Sequence, residues 1–187
     1  ADAAAMLLGL NKFWDLRLTM DELMTLGAKL GSDVPFLLKG GTARGTGRGE
    51  ELVYHPSPEP HWLLLVKPEI SVSTAAAYGR YTGQSNATSD TITNVLHYLE
   101  QNDMYGAFTN SANTFEELLF PDHEELITCK EFFAHHGYPT IMTGSGPTMV
   151  VLLEKPAQAL SLQEELKKAG HNWLSLITKT CTQEEVQ

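Results

Sequence analysis

The sequence predicts an α+β protein in two parts, residues 1–59 and 60–187. Three observations carry that reading. Apolar runs such as "WLLLV" at 62–66 and "MVVLL" at 149–153 have the length of strands and fall far short of a membrane span. Between the runs, apolar residues recur at helical spacing. The stretch "HPSPEPH" at 55–61 puts three prolines into seven residues, which marks a linker. Beyond that linker the order strand, helices, strand, strand, helix, strand suggests a sandwich in which an antiparallel sheet is covered by helices on one face.

Asp2 can cap a first helix through about Asn11, with Met6, Leu7 and Leu10 as its apolar stripe. Thr19 and Glu22 form a T-x-x-E capping box for a second helix, whose stripe is Leu23, Leu26 and Leu30 and whose C′ residue is Gly31. "FLLK" at 36–39 and "EELVYH" at 50–55 read as short strands, so residues 36–55 form a hairpin-like unit with a glycine-rich crossing. A buried strand "WLLLVKP" follows, then a loop and short helix in "SVSTAAAYGRY" and a helix from about Asp90 carrying Ile92, Val95, Leu96 and Leu99. Helical stretches over 111–119 and 122–136 come next, the second opened by Asp122 and closed by Gly137. The strand "TIMT", the turn "GSGP", the strand "TMVVLLE", a helix ending near Gly170 and the strand "WLSLIT" complete the chain. No internal repeat or low-complexity run interrupts it.

Composition narrows the partners. The formal charge of −10, from 13 Lys plus Arg against 23 Asp plus Glu, disfavours nucleic acid or an anionic membrane as a main partner. Any phosphate must therefore be held locally, by backbone N–H groups, a few cations or a metal. Cys129 and Cys181 are far apart and lack the spacing of a zinc site, which points to a reducing, cytoplasmic compartment. His135 and His136 are adjacent on a helix and cannot face one ion, so no protein metal site is expected. The first residues carry no basic n-region, and "ADAAAMLLGLNKFW" opens within a helix without an initiator Met, which reads as a cut end.

Six glycines crowd the twenty residues "GSDVPFLLKGGTARGTGRGE", yet the stretch matches neither G-x-x-x-x-G-K-[ST] nor a G-x-G-x-x-G that opens a helix. These glycines read as a hairpin that needs positive φ or close backbone approach. Asp33, by contrast, sits in a turn just before Val34 and Pro35. It reads either as an Asx-turn residue or as a carboxylate that accepts or orients a substrate hydroxyl. In "MTGSGPTM", Gly144 and Gly146 flank Ser145, so the stretch is either a tight turn or a nest of backbone N–H groups for an anion. Tyr78 is either a packing tyrosine or an aromatic that stacks on a base. Asn113 and Glu116, one helical turn apart, read as capping and surface residues.

Together "LGSDVPFLLKGGTARGTGRGEEL", "LLLVKPEISVSTAAAY", "NTFEELLFPDHEEL" and "MTGSGPTMVVLL" resemble the GHMP small-molecule kinases over essentially the whole chain. The resemblance is strongest to members that phosphorylate a cytidine diphosphate-linked methylerythritol in the non-mevalonate isoprenoid pathway. It implies an N-terminal domain like domain 2 of ribosomal protein S5 and a ferredoxin-like C-terminal domain. It implies ATP with Mg²⁺, Asp33 as catalytic base or orienter of the acceptor hydroxyl, Tyr78 stacked on cytosine, and Thr74 in the same substrate segment. Gly144, Ser145 and Gly146 would line the site near the triphosphate, and Asn113 with Glu116 would be structural. The family's lysine strand and ATP glycine loop have no counterpart in these residues, so the chain is expected to be an inactive C-terminal fragment. Another GHMP kinase, or a non-catalytic ligand-binding module, remains the alternative.

Overall fold

The computed structural model describes residues 1–83 and 88–181, and it divides into two compact units. Ala1–Glu59 forms the first, with which Cys181 is grouped, and Pro60–Thr180 forms the second.

In the first unit, helices α1 (Asp2–Phe13), α2 (Met20–Ala28) and α3 (Val34–Lys39) pack around Ala4, Leu23, Val34 and Leu38. Asp2 is the first helical residue of α1 rather than its cap; Ala1 holds the N-cap position and makes no side-chain cap bond. The capping box of α2 is present, with Thr19 accepting from the Glu22 N–H and Glu22 accepting from the Thr19 N–H at 2.8 Å. That helix stops at Ala28 with Lys29 as C-cap, one residue short of the end that Gly31 at C′ would have given it. The asparagine Asn11 ties the end of α1 to the segment before α2, donating to Leu18 O at 3.1 Å and accepting from Leu18 N at 3.0 Å.

The expected strand "FLLK" is instead part of α3. Pro35 in the first turn presets helical φ and lacks an N–H that would go unpaired there, while Gly40 at φ 68° ends the helix. Val34 and Leu38, one turn apart, then both face the core. The hairpin is accordingly shorter, β1 (Thr42–Thr46) pairing antiparallel with β2 (Glu51–His55). Its glycines behave as the hairpin reading requires. Gly49 has φ 106°, and a Cβ on Gly45 would lie 3.2 Å from the Gly49 carbonyl oxygen.

The second unit is built on a four-stranded antiparallel sheet. In chain order its elements are β3 (Trp62–Lys67), α4 (Thr74–Arg80), α5 (Ser89–Glu100), α6 (Met104–Thr109), α7 (Thr114–Leu119), a 3₁₀ turn (Phe120–Asp122), α8 (Glu124–His135), β4 (Thr140–Met142), β5 (Met149–Leu153), α9 (Pro156–Lys168) and β6 (Leu174–Lys179). The strand order is β4-β5-β3-β6, with Leu64 opposite both Val151 and Ile177. Leu64, Val66, Met149, Val151 and Leu153 pack against Leu126, Cys129 and Phe133 of α8 and Leu162 and Leu166 of α9. Each fully buried large side chain of this set contributes about 1.5–3 kcal/mol of transfer free energy.

The opposite face is not bare, contrary to the one-sided sandwich expected. Leu63 and Leu152, paired across β3 and β5, pack with Met104 and Ala107 of α6 and Val95, Tyr98 and Leu99 of α5. A strand reading "WLLLV" is apolar on both sides and so needs cover on both. At β6 the same alternation leaves Leu174 70% and Leu176 61% exposed. α6 had no counterpart in the expected elements; Asp103 caps it, accepting from Gly106 N at 2.8 Å. Nor does Asp122 open α8: it lies in the 3₁₀ turn, and His123 is the N-cap.

Candidate functional site

The turn between β4 and β5 is the centre of the site in the second unit. Thr143 N donates to Thr148 O at 2.9 Å and Gly146 N to Thr143 O at 3.0 Å, closing a tight loop. Gly144 and Gly146 have φ of 55° and 76°, backbone that a side chain would strain. The N–H groups of Gly144 and Ser145 donate to no acceptor among the described residues. Two unpaired backbone donors in succession on an accessible turn are the elements of an anion nest.

The turn meets α4 directly. Ser73 caps α4 by accepting from Ala76 N at 3.3 Å, which places Thr74 in the first helical turn. The Thr74 and Ser145 hydroxyls share a hydrogen bond of 3.0 Å. One turn further along α4, Tyr78 is 60% exposed, and its ring meets Phe115 of α7 edge-on at 4.8 Å between centroids. Arg80 anchors the end of α4 by donating to Leu118 O at 3.1 Å and pairing with Asp122. The hydrogen bond from Arg80, and then its charge, hold the Asp122 carboxyl below the usual carboxylate range.

Behind the turn lies α7. Asn113 caps it through Oδ1, which accepts from Phe115 N at 2.9 Å, while Nδ2 donates to Met142 O at 2.6 Å and Gly144 O at 2.9 Å. Glu116 accepts from Met142 N at 2.7 Å and pairs with Lys130 of α8. Its side chain is only 12% exposed, so the reading of Glu116 as a surface residue is corrected: its reach is inward. A cleft of ≈ 520 Å³ runs along this region, lined by Asn113, Phe115, Thr143 and Gly144 among others.

Asp33 belongs to the first unit. It is the N-cap residue of α3 but makes no side-chain cap bond, and its carboxylate has no hydrogen-bond partner among the described residues. With Phe36, Gly45, Gly49 and Leu52 it lines a hollow of ≈ 330 Å³. An exposed carboxylate held on a helix start, with its oxygens uncommitted, can accept a proton or orient a hydroxyl. The described residues contain no group of three or more His, Cys, Asp or Glu side chains that could hold a metal ion. Among the described residues a Mg²⁺ ion would therefore find no more than two such side chains together.

Thr74, Tyr78 and Gly144–Gly146, picked out separately in the sequence, are thus gathered in one region of the second unit. The Thr74–Ser145 bond and the Asn113–Glu116–Lys130 cluster were not legible in the sequence. Their partners are 71, 31 and 14 residues apart, beyond any local pattern.

Profiles of one family match parts of both units. The profile for the GHMP kinases C terminal matches residues 95–172, and that for the GHMP kinases N terminal domain matches residues 1–41. The chain belongs to the GHMP kinase family. It is 39% identical over 168 residues to a protein of Bacillus mycoides named 4-diphosphocytidyl-2-C-methyl-D-erythritol kinase, and equally to one of that name from Exiguobacterium sibiricum. Each alignment covers 89% of this chain and 58% of the relative, so the chain spans somewhat more than half the length of these curated relatives. The fold is that of the crystal structure of 4-(cytidine 5'-diphospho)-2C-methyl-D-erythritol kinase, with a TM-score of 0.72 at 24% identity over 96% of this chain and 64% of that one. It is likewise that of homoserine kinase from Cytophaga hutchinsonii, with a TM-score of 0.71 at 18% identity over 97% and 65% of the two chains.

Proposed function

We propose that the protein transfers the γ-phosphoryl group of ATP to the 2-hydroxyl of 4-diphosphocytidyl-2-C-methyl-D-erythritol, in the non-mevalonate route to isoprenoids. The observation that carries this reading is the meeting of Thr74 with Ser145 at 3.0 Å, which sets an exposed aromatic segment beside a turn with two N–H groups that have no acceptor among the described residues. The curated relatives' name supplies the substrate.

Phosphoryl transfer asks the protein chiefly to position reactants and to neutralise charge. In this account the Gly144 and Ser145 N–H groups donate to phosphate oxygens, Tyr78 stacks on the cytosine, and Thr74 orients the same substrate. Asp33 orients the attacking hydroxyl and accepts its proton. The hydroxyl oxygen bonds to the γ-phosphorus as the bond to the β,γ-bridging oxygen breaks, and ADP leaves with that electron pair. An acidic protein holds two polyphosphates in this way without a basic surface, since the donors are backbone groups. Two free cysteines, Cys129 buried and Cys181 exposed, support a reducing cytoplasmic location.

The test is ADP release by the whole protein with ATP and, in turn, the diphosphocytidyl substrate, homoserine and mevalonate. ADP release with the first alone is the expected result. Release with homoserine or mevalonate in its place would overturn the substrate assignment, and release with none of the three would overturn the kinase reading.

A further inference from the structure

We propose that Asn113 is a positioning residue that aims the Ser145 N–H at a bound phosphate. The identity of the ligand as ATP rests on the function proposed above; the aiming rests on the turn itself. In a planar trans peptide the C=O and the following N–H point in opposite directions. Asn113 Nδ2 holds the Gly144 carbonyl at 2.9 Å, so the Ser145 N–H of that same peptide is turned away from α7. The same amide holds the Met142 carbonyl at 2.6 Å, and the N–H across that peptide, on Thr143, is turned to Thr148 O at 2.9 Å. Glu116 takes the Met142 N–H at 2.7 Å and is itself paired with Lys130, so the strand end is held on its donor and acceptor sides alike.

One side chain thereby decides which groups of the turn are spent internally and which are left over. The Gly144 carbonyl, which would repel a phosphate oxygen, is occupied by Asn113. The Ser145 N–H, which would attract one, remains unpaired among the described residues. The Ser145 hydroxyl is fixed on Thr74, so Ser145 is held through its side chain on one side and through the preceding carbonyl on the other.

Asn113 also caps α7, and two variants separate the roles. Asn113→Ser retains a capping oxygen and removes both Nδ2 donors without adding charge; Asn113→Asp retains the cap and sets an acceptor against the two carbonyls. In the whole protein each variant should raise Kd and KM for ATP, by about tenfold for Asn113→Ser, which corresponds to roughly 1.4 kcal/mol. KM for the acceptor substrate should stay near wild type, while the thermal midpoint of Asn113→Ser falls modestly because the Met142 carbonyl loses its donor. The amide resonance of Ser145, shifted by ATP in the wild type, should respond less in both variants. An equal rise in both KM values, or a loss of thermal stability with ATP affinity unchanged, would overturn the proposal in favour of a purely structural role. The Kd comparison reads this inference alone. A wild type that fails to phosphorylate the acceptor yet binds ATP about tenfold more tightly than Asn113→Ser upholds it while removing the function, and a wild type that binds no ATP overturns it.

Discussion

Cys129 and Cys181 are the same chemical group in two environments, and burial separates them. Cys129 is fully buried in α8, and desolvation, with the nearby charge of Glu125 adding to it, pushes its thiol up to about 12. At neutral pH it is a thiol without nucleophilic character, whereas Cys181 is exposed. Treatment of the native protein with an excess of iodoacetamide should label Cys181 alone, and labelling of Cys129 should wait for denaturant. Rapid modification of Cys129 in native protein would contradict the packing of α8. At this scale the sequence was most informative where the backbone is special. The Gly144–Ser145–Gly146 pattern reads either as a tight turn or as a nest for an anion; the φ values and hydrogen bonds contain a tight turn, which among the described residues leaves the Gly144 and Ser145 N–H groups without an acceptor. Asn113 and Glu116 were legible only in part, as capping residues, because the atoms they hold, on Met142 and Gly144, lie 26 to 31 residues away.

Among the elements, the contrast between the two sheet faces gives the sharpest expectation. Phe133 of α8 is fully buried against the strands, while Leu174 of β6 is 70% exposed. Phe133→Ala should cost about 3–5 kcal/mol, a large part of an ordinary domain's stability. Leu174→Ala should fall within about 0.5 kcal/mol of wild type in urea unfolding. Similar losses for the two would mean that the sheet does not face as described. The helices with strong local signals, the capping box at Thr19 and the Gly137 stop after α8, were legible because each is encoded within a turn of its own residues. α3 was misread as a strand because four residues, "FLLK", suit either state. The pattern Val34-Pro35 at its start and Gly40 at its end was the available signal. α6 is six residues long and includes Gly106 and Thr109, so it has neither the length nor the propensity to declare itself.

For the molecule as a whole, the order of strands and helices past residue 60 was legible, since each strand is a short apolar run. The second layer on the sheet was not, because its members α5 and α6 meet Leu63 and Leu152 only through long-range packing. The net charge of −10 is compatible with the proposal that phosphate is met through backbone N–H groups rather than a basic surface. The chemistry in this account is carried by Asp33, a carboxylate held at a helix start with its oxygens uncommitted among the described residues. Replacing it tests the central claim most directly. In steady-state assays of the whole protein, Asp33→Asn should lower kcat by about 10²–10⁴-fold, with KM for ATP and for the acceptor near wild type. A variant with wild-type kcat, or one whose entire loss appears in KM, would contradict the account.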